Sequence, residues 1–245
     1  MRRIAAVTFD LWDTLIQEYP GGSDKVAGLR IHRIGSLLES RGVVHTQKEI
    51  EFAYEDTGDF LQLAWSKKRD IPVHDQVLFM LSAIDDKLAS KLSKQDLAEA
   101  ERIYAESIYD NPPRVLPGAR EALEALKDKS YRIGLISNTG RTPGSALRTV
   151  MEDMGILEFF DATTFSNETL VRKPSEGAFR TTLDRLKVIP KAAVHVGDDA
   201  ESDIIGAKKA GMHALHVVAP GQLASDSADG NVRSLSQVLE SVERL

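Results

Sequence analysis

The feature that most constrains the fold is a regular alternation of apolar and helical segments over residues 115–245. Stretches with helical spacing of apolar residues separate four strand-like segments, which are residues 131–136, 160–165, 192–196 and 214–218. Another apolar segment, residues 4–9, lies near the amino terminus. Strands that alternate with helices in this way form parallel sheets covered by helices. The pattern therefore predicts an α/β fold, specifically a doubly wound parallel sheet with a Rossmann-like core.

Residues 24–110 follow a different pattern. Apolar residues recur there at helical spacing, and strand signals are nearly absent, which indicates about four helices. The prolines at 112 and 113 then stop the helical pattern, because proline lacks the backbone N–H that a helix needs. We therefore predict two domains, an α/β core formed by residues 1–20 and 111–245 and a smaller all-helical domain formed by residues 21–110.

The composition limits the partners of the chain. The net charge is −6, so the molecule as a whole has no basic character that would attract nucleic acid or anionic lipid. No apolar run approaches the roughly 20 residues of a membrane span, and residues 4–9 are too short for a signal peptide. The chain has no Cys, which excludes disulfides and thiolate metal sites and is compatible with a reducing compartment. We expect a cytoplasmic protein that binds a small molecule; the sequence gives no oligomeric state.

Polar side chains follow the predicted strands at the points where they end. Asp10 follows the first strand, Ser137 and Asn138 follow the second, and Asp198 follows the fourth, while Lys173 precedes a helix. In an open parallel sheet, ligands bind beyond the carboxyl ends of the strands, where the strand order reverses. The sequence therefore predicts that two acids, a hydroxyl, an amide and an ammonium group meet at one edge of the sheet.

These segments resemble the motifs of the haloacid dehalogenase superfamily of hydrolases, in the same order along the chain. The four motifs are FDLWDTL at residues 9–15, LISNT at 135–139, RKP at 172–174 and VGDDAESD at 196–203. Each is weak alone, but four in order on an α/β pattern form a specific signal. The resemblance covers the predicted core, and the helical segment lies where the family inserts a cap domain that closes over the site.

The resemblance implies roles for the residues at the strand ends. Asp10 matches the nucleophile, which forms a covalent aspartyl intermediate with the substrate. Ser137 matches the hydroxyl that binds the transferred group, and Asn138 would add a donor beside it. Lys173 matches the lysine that stabilises charge around the nucleophile and the substrate, so that it counts as both catalytic and substrate-binding.

The resemblance also implies a cation site. Family members that hydrolyse phosphates bind Mg²⁺ between the nucleophile, here Asp10, and an acid of the fourth motif, here Asp198. The backbone carbonyl of Trp12 matches a further ligand. Asp203 would support the metal or the lysine from outside the ligand shell. For Asp199 two interpretations are open, a similar supporting role and the capping of the next helix.

The first motif departs from the family pattern at Trp12. Phosphatases of the family usually have an aspartate there, two residues after the nucleophile, as general acid and base. The nearest acid is Asp13, which is the candidate for this role. In an extended stretch, however, Asp13 would point to the side opposite Trp12. An aromatic residue at this position is typical of the 2-haloacid dehalogenases, whose halide leaving group needs no proton.

Electrostatics favours the phosphatase over the dehalogenase. Two unit charges about 4 Å apart repel by about 4 kcal/mol at an effective dielectric constant near 20, so a cluster of Asp10, Asp198 and Asp203 needs a cation. Lys173 offsets one of these charges. We therefore predict a Mg²⁺-dependent phosphatase of a small phosphorylated metabolite, with a metal-independent 2-haloacid dehalogenase as the alternative. A non-catalytic binding module that retains the site is the third interpretation.

The helical segment would select the substrate. Five of its residues are candidates to face the cleft, although an exposed helix face explains them equally well: Arg30, Arg33, Trp65, Lys67 and Lys68. A dehalogenase would need an arginine and aromatic residues around the leaving halide, for which Arg30 or Arg33 is available.

Overall fold

A computed structural model describes residues 3–245 of the chain. Met1 and Arg2, which open the first segment of the predicted core, lie outside the described residues. The strands of the described part are β1 (Ala6–Phe9), β2 (Ile16–Gln17), β3 (Arg114–Val115), β4 (Arg132–Ser137), β5 (Ala162–Phe165), β6 (Ala193–Gly197), β7 (His213–Val217) and β8 (Gly230–Val232). Six of them form one parallel sheet in the order β5-β4-β1-β6-β7-β8, and β2 pairs with β3 in an antiparallel ribbon.

Helices cover both faces of the large sheet. They are α6 (Ala119–Asp128), α7 (Gly144–Asp153), α8 (Ser166–Thr169), α9 (Glu176–Leu186), α10 (Gly206–Lys209) and α11 (Val238–Glu243), which follow α1 to α5 of the helical segment. Side chains of β1 alternate between the faces, so Phe9 packs in the cluster that includes α6, α7 and α11, while Ala6 packs in the cluster with α9 and α10. The predicted doubly wound parallel sheet is confirmed.

The helical segment packs around an apolar cluster of its own. It consists of α1 (Gly22–Ser40), α2 (Gln47–Ser66), α3 (Val73–Ile84), α4 (Leu88–Lys91) and α5 (Lys94–Glu106). Capping boxes begin α2 and α5. The side chains of Thr46 and Ser93 each accept a hydrogen bond from the backbone N–H three residues later, and their own backbone N–H groups donate to the carboxylates of Glu49 and Asp96. The sequence indicated about four helices, and the structure has five; the additional one, α4, has only four residues. The division into two domains at residues 21 and 110 stays a prediction.

The position of β1 explains where the polar residues of the motifs meet. Phe9 lies opposite Leu135 on β4 and Val196 on β6, so Asp10 emerges between the ends of these two strands. The chain runs from β1 through β4 to β5 and then returns to β6 on the other side of β1. This is the reversal of strand order at which open α/β sheets bind ligands.

The carboxyl-terminal region differs from the sequence-based expectation. A sixth parallel strand, β8, pairs with β7 through residues 230–232, where no strand was predicted. Three residues that begin with glycine are too few to show an alternating pattern. Among residues 3–245, no helix combines the length and the apolar character that crossing a membrane requires.

A buried ion pair joins the helical segment to the sheet domain. Asp70, in the loop between α2 and α3, has a fully buried side chain that lies 2.8 Å from the Arg172 guanidinium. Its carboxylate also accepts hydrogen bonds from Thr139 (3.0 Å), Ser166 and the Trp65 indole (3.2 Å). The neighbouring backbones pair as well, because Asp70 N–H donates to the Leu170 carbonyl, and the Arg172 N–H donates to the Lys68 carbonyl. The loop therefore fixes the helical segment directly beside Lys173.

We expect Asp70→Ala to lower the free energy of unfolding by about 3–5 kcal/mol, because it leaves the Arg172 charge buried without its partner. Urea titration would measure the loss. The matched control is Asp110→Ala, which breaks the exposed pair between Arg33 and Asp110 and should cost no more than about 1 kcal/mol. Equal losses in the two variants would contradict the assigned role of Asp70.

Candidate active site

A buried lysine bridges two carboxylates at the carboxyl edge of the sheet. The Lys173 ammonium lies 2.5 Å from an Asp10 oxygen and 2.7 Å from an Asp203 oxygen. Asp10 is 7% exposed and Lys173 is 4% exposed, so water screens these contacts weakly. Burial alone would lower the pKa of Lys173, but the charges of Asp10 and Asp203 outweigh it and raise the pKa. Lys173 is therefore a cation in this site.

Asn138 positions this lysine through its backbone. The Lys173 N–H donates to the Asn138 side-chain oxygen (2.8 Å), and the Asn138 side-chain N–H₂ donates to the Lys173 carbonyl (3.1 Å). Both ends of the amide are thus used within the protein, with one N–H left. The predicted contact of Asn138 with substrate stays a prediction, and the observed contacts give it a positioning role.

Ser137, the last residue of β4, has a buried hydroxyl with no hydrogen-bond partner among residues 3–245. The residue is 2% exposed. Buried hydroxyls are normally paired, because an unpaired one costs about 1–3 kcal/mol of desolvation. A hydroxyl left unpaired at a ligand-binding edge is typical of a group that binds a ligand.

Asp198 is held from its side chain and from its backbone. Thr14 donates to a carboxylate oxygen (3.1 Å), and the side-chain N–H groups of His216 (2.9 Å) and Gln222 (3.1 Å) donate to the Asp198 carbonyl. The other His216 nitrogen accepts from the Ser225 N–H, so the proton of the neutral ring must be on the nitrogen that faces Asp198. Sequence reasoning missed Thr14 and His216, although Thr14 belongs to the first motif.

Asp203 is the fixed anion behind the lysine. It is 1% exposed and contacts Lys173, the His195 ring at 3.2 Å and the Asp199 backbone N–H at 3.1 Å. Burial opposes its ionisation, but Lys173 and His195 hold the pKa of Asp203 below its usual range. Burial lowers the pKa of His195, whose second nitrogen lies 2.9 Å from the Thr8 hydroxyl. Asp203 is thus a carboxylate that orients the lysine.

The two remaining candidate acids, Asp199 and Asp13, form no ion pair with Lys173 within residues 3–245. The Asp199 carboxylate accepts from the N–H groups of Glu201 (3.1 Å) and Ser202 (2.6 Å), which caps the π-helical turn before α10. This contact favours the capping interpretation. Asp13 is exposed, adopts a left-handed conformation (φ 54°) and accepts a hydrogen bond from Gln17. Its role as acid and base stays a prediction.

Three carboxylates crowd the site around one ammonium group. Asp10, Asp198 and Asp203 each have an oxygen within 4.8 Å of the others. Burial raises the pKa of Asp10 to about 7, an effect that Lys173 reduces and the charges of Asp203 and Asp198 increase. Burial and Asp203 raise the pKa of Asp198 to about 6. The site therefore holds more negative than positive charge. Carboxylate oxygens are the ligands that Mg²⁺ prefers, so these residues fit a Mg²⁺ site.

A cavity of about 510 Å³ opens beside this edge, between the sheet domain and helices α1 and α2. Trp12 and Asn138 line it on one side, and Arg30 and Trp65 on the other. Of the remaining candidates in the helical segment, Arg33 pairs with Asp110. Lys67 and Lys68 are exposed and do not line the cavity. Arg30 and Trp65 are thus the two candidates that face the cleft.

Comparison with known proteins gives the family. A family model described as haloacid dehalogenase-like hydrolase matches residues 4–211, which is most of the chain. The chain belongs to this family. It is therefore a hydrolase, as the four motifs predicted.

Individual relatives support the same assignment. The chain is 29% identical to a glyceraldehyde 3-phosphate phosphatase of Pyrococcus furiosus over an alignment that covers 100% of this chain and 95% of that protein. It is 32% identical to haloacid dehalogenase-like hydrolase domain-containing protein 3 of Xenopus laevis over 148 residues, which are 59% of this chain and 56% of that protein, so the match spans little more than half of that relative. The crystal structure of a 2-haloacid dehalogenase from Pseudomonas syringae superposes with a TM-score of 0.69 at 24% identity, covering 98% and 99% of the two chains, and shows the shared fold.

We expect Gly197→Ala to disrupt the site, because the added methyl group would lie 2.3 Å from the Asp203 carboxyl carbon. Either Asp203 or β6 must move, and overpacking of this kind costs about 1–3 kcal/mol. Urea unfolding and an activity assay would measure both effects. Gly28→Ala is the control, since nothing lies within 4 Å of the added methyl group and alanine favours a helix by about 0.5–1 kcal/mol. A Gly197→Ala variant as stable and active as wild type would refute the close approach.

Proposed function

We propose that this protein is a Mg²⁺-dependent phosphatase that hydrolyses a small phosphorylated metabolite through an aspartyl-phosphate intermediate. The observation that carries the proposal is the unpartnered Ser137 hydroxyl at the sheet edge that also presents three crowded carboxylates. A phosphoryl group offers acceptor oxygens to the hydroxyl and to Lys173. The phosphatase name of the relative that matches the whole chain supports the same reaction.

In the proposed reaction, an oxygen of Asp10 attacks phosphorus and the bond from phosphorus to the leaving oxygen breaks, so that the leaving oxygen takes the electron pair. Water then attacks the phosphorus of the aspartyl phosphate, and the bond from phosphorus to the Asp10 oxygen breaks, which restores the Asp10 carboxylate. Over the whole reaction, one proton of water is transferred to the leaving oxygen and the other remains on the released phosphate. Lys173, held by Asn138 and Asp203, opposes the rise that burial causes in the pKa of Asp10, and it would stabilise the negative charge on the phosphoryl oxygens. Ser137 would donate a hydrogen bond to one of these oxygens.

Asp10, Asp198 and the Trp12 carbonyl would hold Mg²⁺. When bound, the ion supplies positive charge that allows a phosphate dianion to approach the carboxylates. Thr14, His216 and Gln222 would keep Asp198 in place for this purpose.

We assign the helical segment, residues 21–110, as a cap domain that covers the site and excludes water. The loop with Asp70 and the cavity beside α1 and α2 support this assignment. A small-molecule substrate fits the cavity volume of about 510 Å³. A cytoplasmic location stays the prediction from the absence of Cys.

One observation favours a second candidate, a metal-independent 2-haloacid dehalogenase. Trp12 stands where a phosphatase has its general acid, and a halide needs no proton. The carboxylate cluster opposes this candidate, because a neutral alkyl halide brings no need for a cation. Chloride release from 2-chloropropionate that persists in EDTA and disappears in Asp10→Asn would establish it.

The metal is tested by stability as well as by activity. We expect Mg²⁺ at about 100 times its dissociation constant to stabilise the fold by about 2.7 kcal/mol. This corresponds to a Tm increase of roughly 5–10 °C for a chain of this size. Asp198→Asn should lose the shift. Asp161→Asn, at the opposite edge of the sheet, should retain it, because Asp161 contacts Lys127 and the Ile133 N–H instead.

The same samples test the reaction. Wild type should hydrolyse p-nitrophenyl phosphate with Mg²⁺ and stop in EDTA, and Asp10→Asn should be inactive with a normal fold. Activity that survives chelation would refute the metal dependence. Failure of every substrate in a phosphate-ester panel would favour the non-catalytic binding module.

Ser137→Ala separates ligand binding from stability. Because the hydroxyl has no partner within the protein, we expect its removal to leave the free energy of unfolding unchanged or to raise it by up to about 1 kcal/mol. We expect kcat/KM for p-nitrophenyl phosphate to fall about 10-fold or more. Ser166→Ala is the contrasting variant, since that hydroxyl donates to buried Asp70 and its loss should cost about 1–3 kcal/mol. A destabilised but fully active Ser137→Ala would contradict the assignment.

A further inference from the structure

Two arginines meet at the wall of the cavity through shared tyrosines. Arg30, on α1, donates to the Tyr104 carbonyl (2.7 Å), the Tyr54 hydroxyl (3.3 Å) and the Thr142 hydroxyl (2.7 Å). Arg141, in the loop after β4, donates to the Tyr104 hydroxyl (2.7 Å) and the Tyr54 carbonyl (2.7 Å). The Arg141 guanidinium carbon also lies 3.8 Å from the centre of the Tyr54 ring. The helical segment and the sheet domain thus each contribute one arginine to a single cluster.

All of these partners are neutral. Within residues 3–245, no carboxylate lies within 4.0 Å of the guanidinium nitrogens of Arg30 or Arg141, whereas Arg172 in the same wall pairs with Asp70. Arg30 is only 5% exposed. A buried cation without a counter-ion is costly, and two that share the same tyrosines repel each other. The cluster therefore lacks a negative charge.

The arginines still have donors for an anion. A guanidinium has five N–H groups, of which Arg30 uses three and Arg141 uses two in the bonds described. Planar guanidinium groups bind carboxylates and phosphates through two parallel hydrogen bonds. Both arginines line the cavity, so an anion can reach them from it.

The other charged groups of the cavity do not neutralise this cluster. Glu18 and Asp24 also line the wall, but within residues 3–245 neither forms an ion pair with Arg30 or Arg141. Glu18 instead accepts a hydrogen bond from Ser23. The cavity thus has acidic groups at the start of α1 and an unneutralised basic cluster where α1, α2 and the loop after β4 meet.

We propose that Arg30 and Arg141 form a subsite for a second anionic group of the substrate, a carboxylate or a second phosphate. The inference rests on the proposed phosphatase function. Trp12 and Asn138 line the same cavity as the arginines. Trp12 lies two residues after Asp10 in the chain, and Asn138 directly follows Ser137. A substrate whose phosphoryl group is at Asp10 therefore extends into the cavity and places its far end at the cluster. The substrate class is a small phosphate monoester with a negative charge at the end remote from the ester.

The experiment compares three substrates that differ at the remote end alone. Glycerol 3-phosphate ends in a neutral hydroxymethyl group, 3-phosphoglycerate ends in a carboxylate, and glycerol 1,3-bisphosphate ends in a second phosphate. We expect wild type with Mg²⁺ to show kcat/KM at least about 10-fold higher for one or both anionic substrates than for glycerol 3-phosphate. The better of the two anionic substrates identifies the group that the subsite takes.

Variants of Arg141 test whether the arginine cluster causes the preference for anionic substrates. Arg141→Gln should reduce the ratio of kcat/KM for the preferred anionic substrate to that for glycerol 3-phosphate by about 10-fold or more, and Arg141→Lys should reduce it less. The matched control is Arg33→Gln, one turn from Arg30 on α1 but paired with Asp110, which should keep the wild-type ratio. The ratio is the readout because Arg141 also joins α2 to the sheet domain, and a structural loss would lower both rates together.

Three outcomes decide the inference. A wild-type ratio near one, with glycerol 3-phosphate hydrolysed, overturns the subsite and leaves the phosphatase function intact. Equal losses on neutral and anionic substrates in both Arg141 variants assign the arginines a structural role and also overturn it. If no phosphate ester is hydrolysed by wild type, the proposed function itself fails and the subsite fails with it.

Discussion

The active-site edge of this protein depends on the contact of the Lys173 ammonium with the carboxylates of Asp10 and Asp203. A lysine and two aspartates can be buried this deeply because the attraction between their opposite charges offsets the loss of hydration. The surrounding contacts hold Lys173 and Asp203 in place. Asn138 fixes the lysine backbone, and His195 fixes the far side of Asp203. One lysine, however, cannot neutralise three carboxylates. Burial first, and then the charges of the neighbouring acids, raise the pKa of Asp10 and the pKa of Asp198.

This charge balance links the site to the helical segment. Arg172 precedes Lys173 in the chain and pairs with Asp70 from the loop between α2 and α3. The Arg172 backbone also donates to the Lys68 carbonyl in the same loop. Any movement of the helical segment away from the sheet domain must therefore break a buried ion pair directly beside the lysine. Since one partner left alone would be a buried charge, such a movement requires water or a ligand to replace it. The helical segment is therefore held to the sheet domain by the residue that precedes Lys173 in the chain.

The sequence predicted the parts of the site that follow from strand order. Asp10, Ser137 and Asp198 come directly after apolar strands, and a parallel sheet brings such positions to one edge whatever the rest of the chain does. It did not predict Asp70, because that contact depends on how a loop in the helical segment meets residues about 70 to 100 positions later, which no local pattern records.

The same limit applied to Arg30 and Arg33, which lie one turn apart on α1. Helical periodicity does not reveal that one faces the cavity and the other faces Asp110. The sequence also did not show that Asp13 has positive φ and points to solvent, since only the local turn decides this.

Trp12 lies two residues after Asp10 in the chain and also lines the cavity to which Arg30 and Arg141 contribute. In the proposed function, Asp10 and Lys173 act on the phosphoryl group, while Arg30 and Arg141 bind the remote end of the substrate. An aspartate in place of Trp12 would add a further negative charge two residues from Asp10, where three carboxylates already crowd one lysine. A tryptophan avoids that repulsion and gives the substrate an apolar surface, at the cost of a proton donor beside the leaving oxygen. In the proposed function, the leaving oxygen therefore takes its proton from water, while Arg30 and Arg141 recognise the remote end of the substrate and also join the helical segment to the sheet domain.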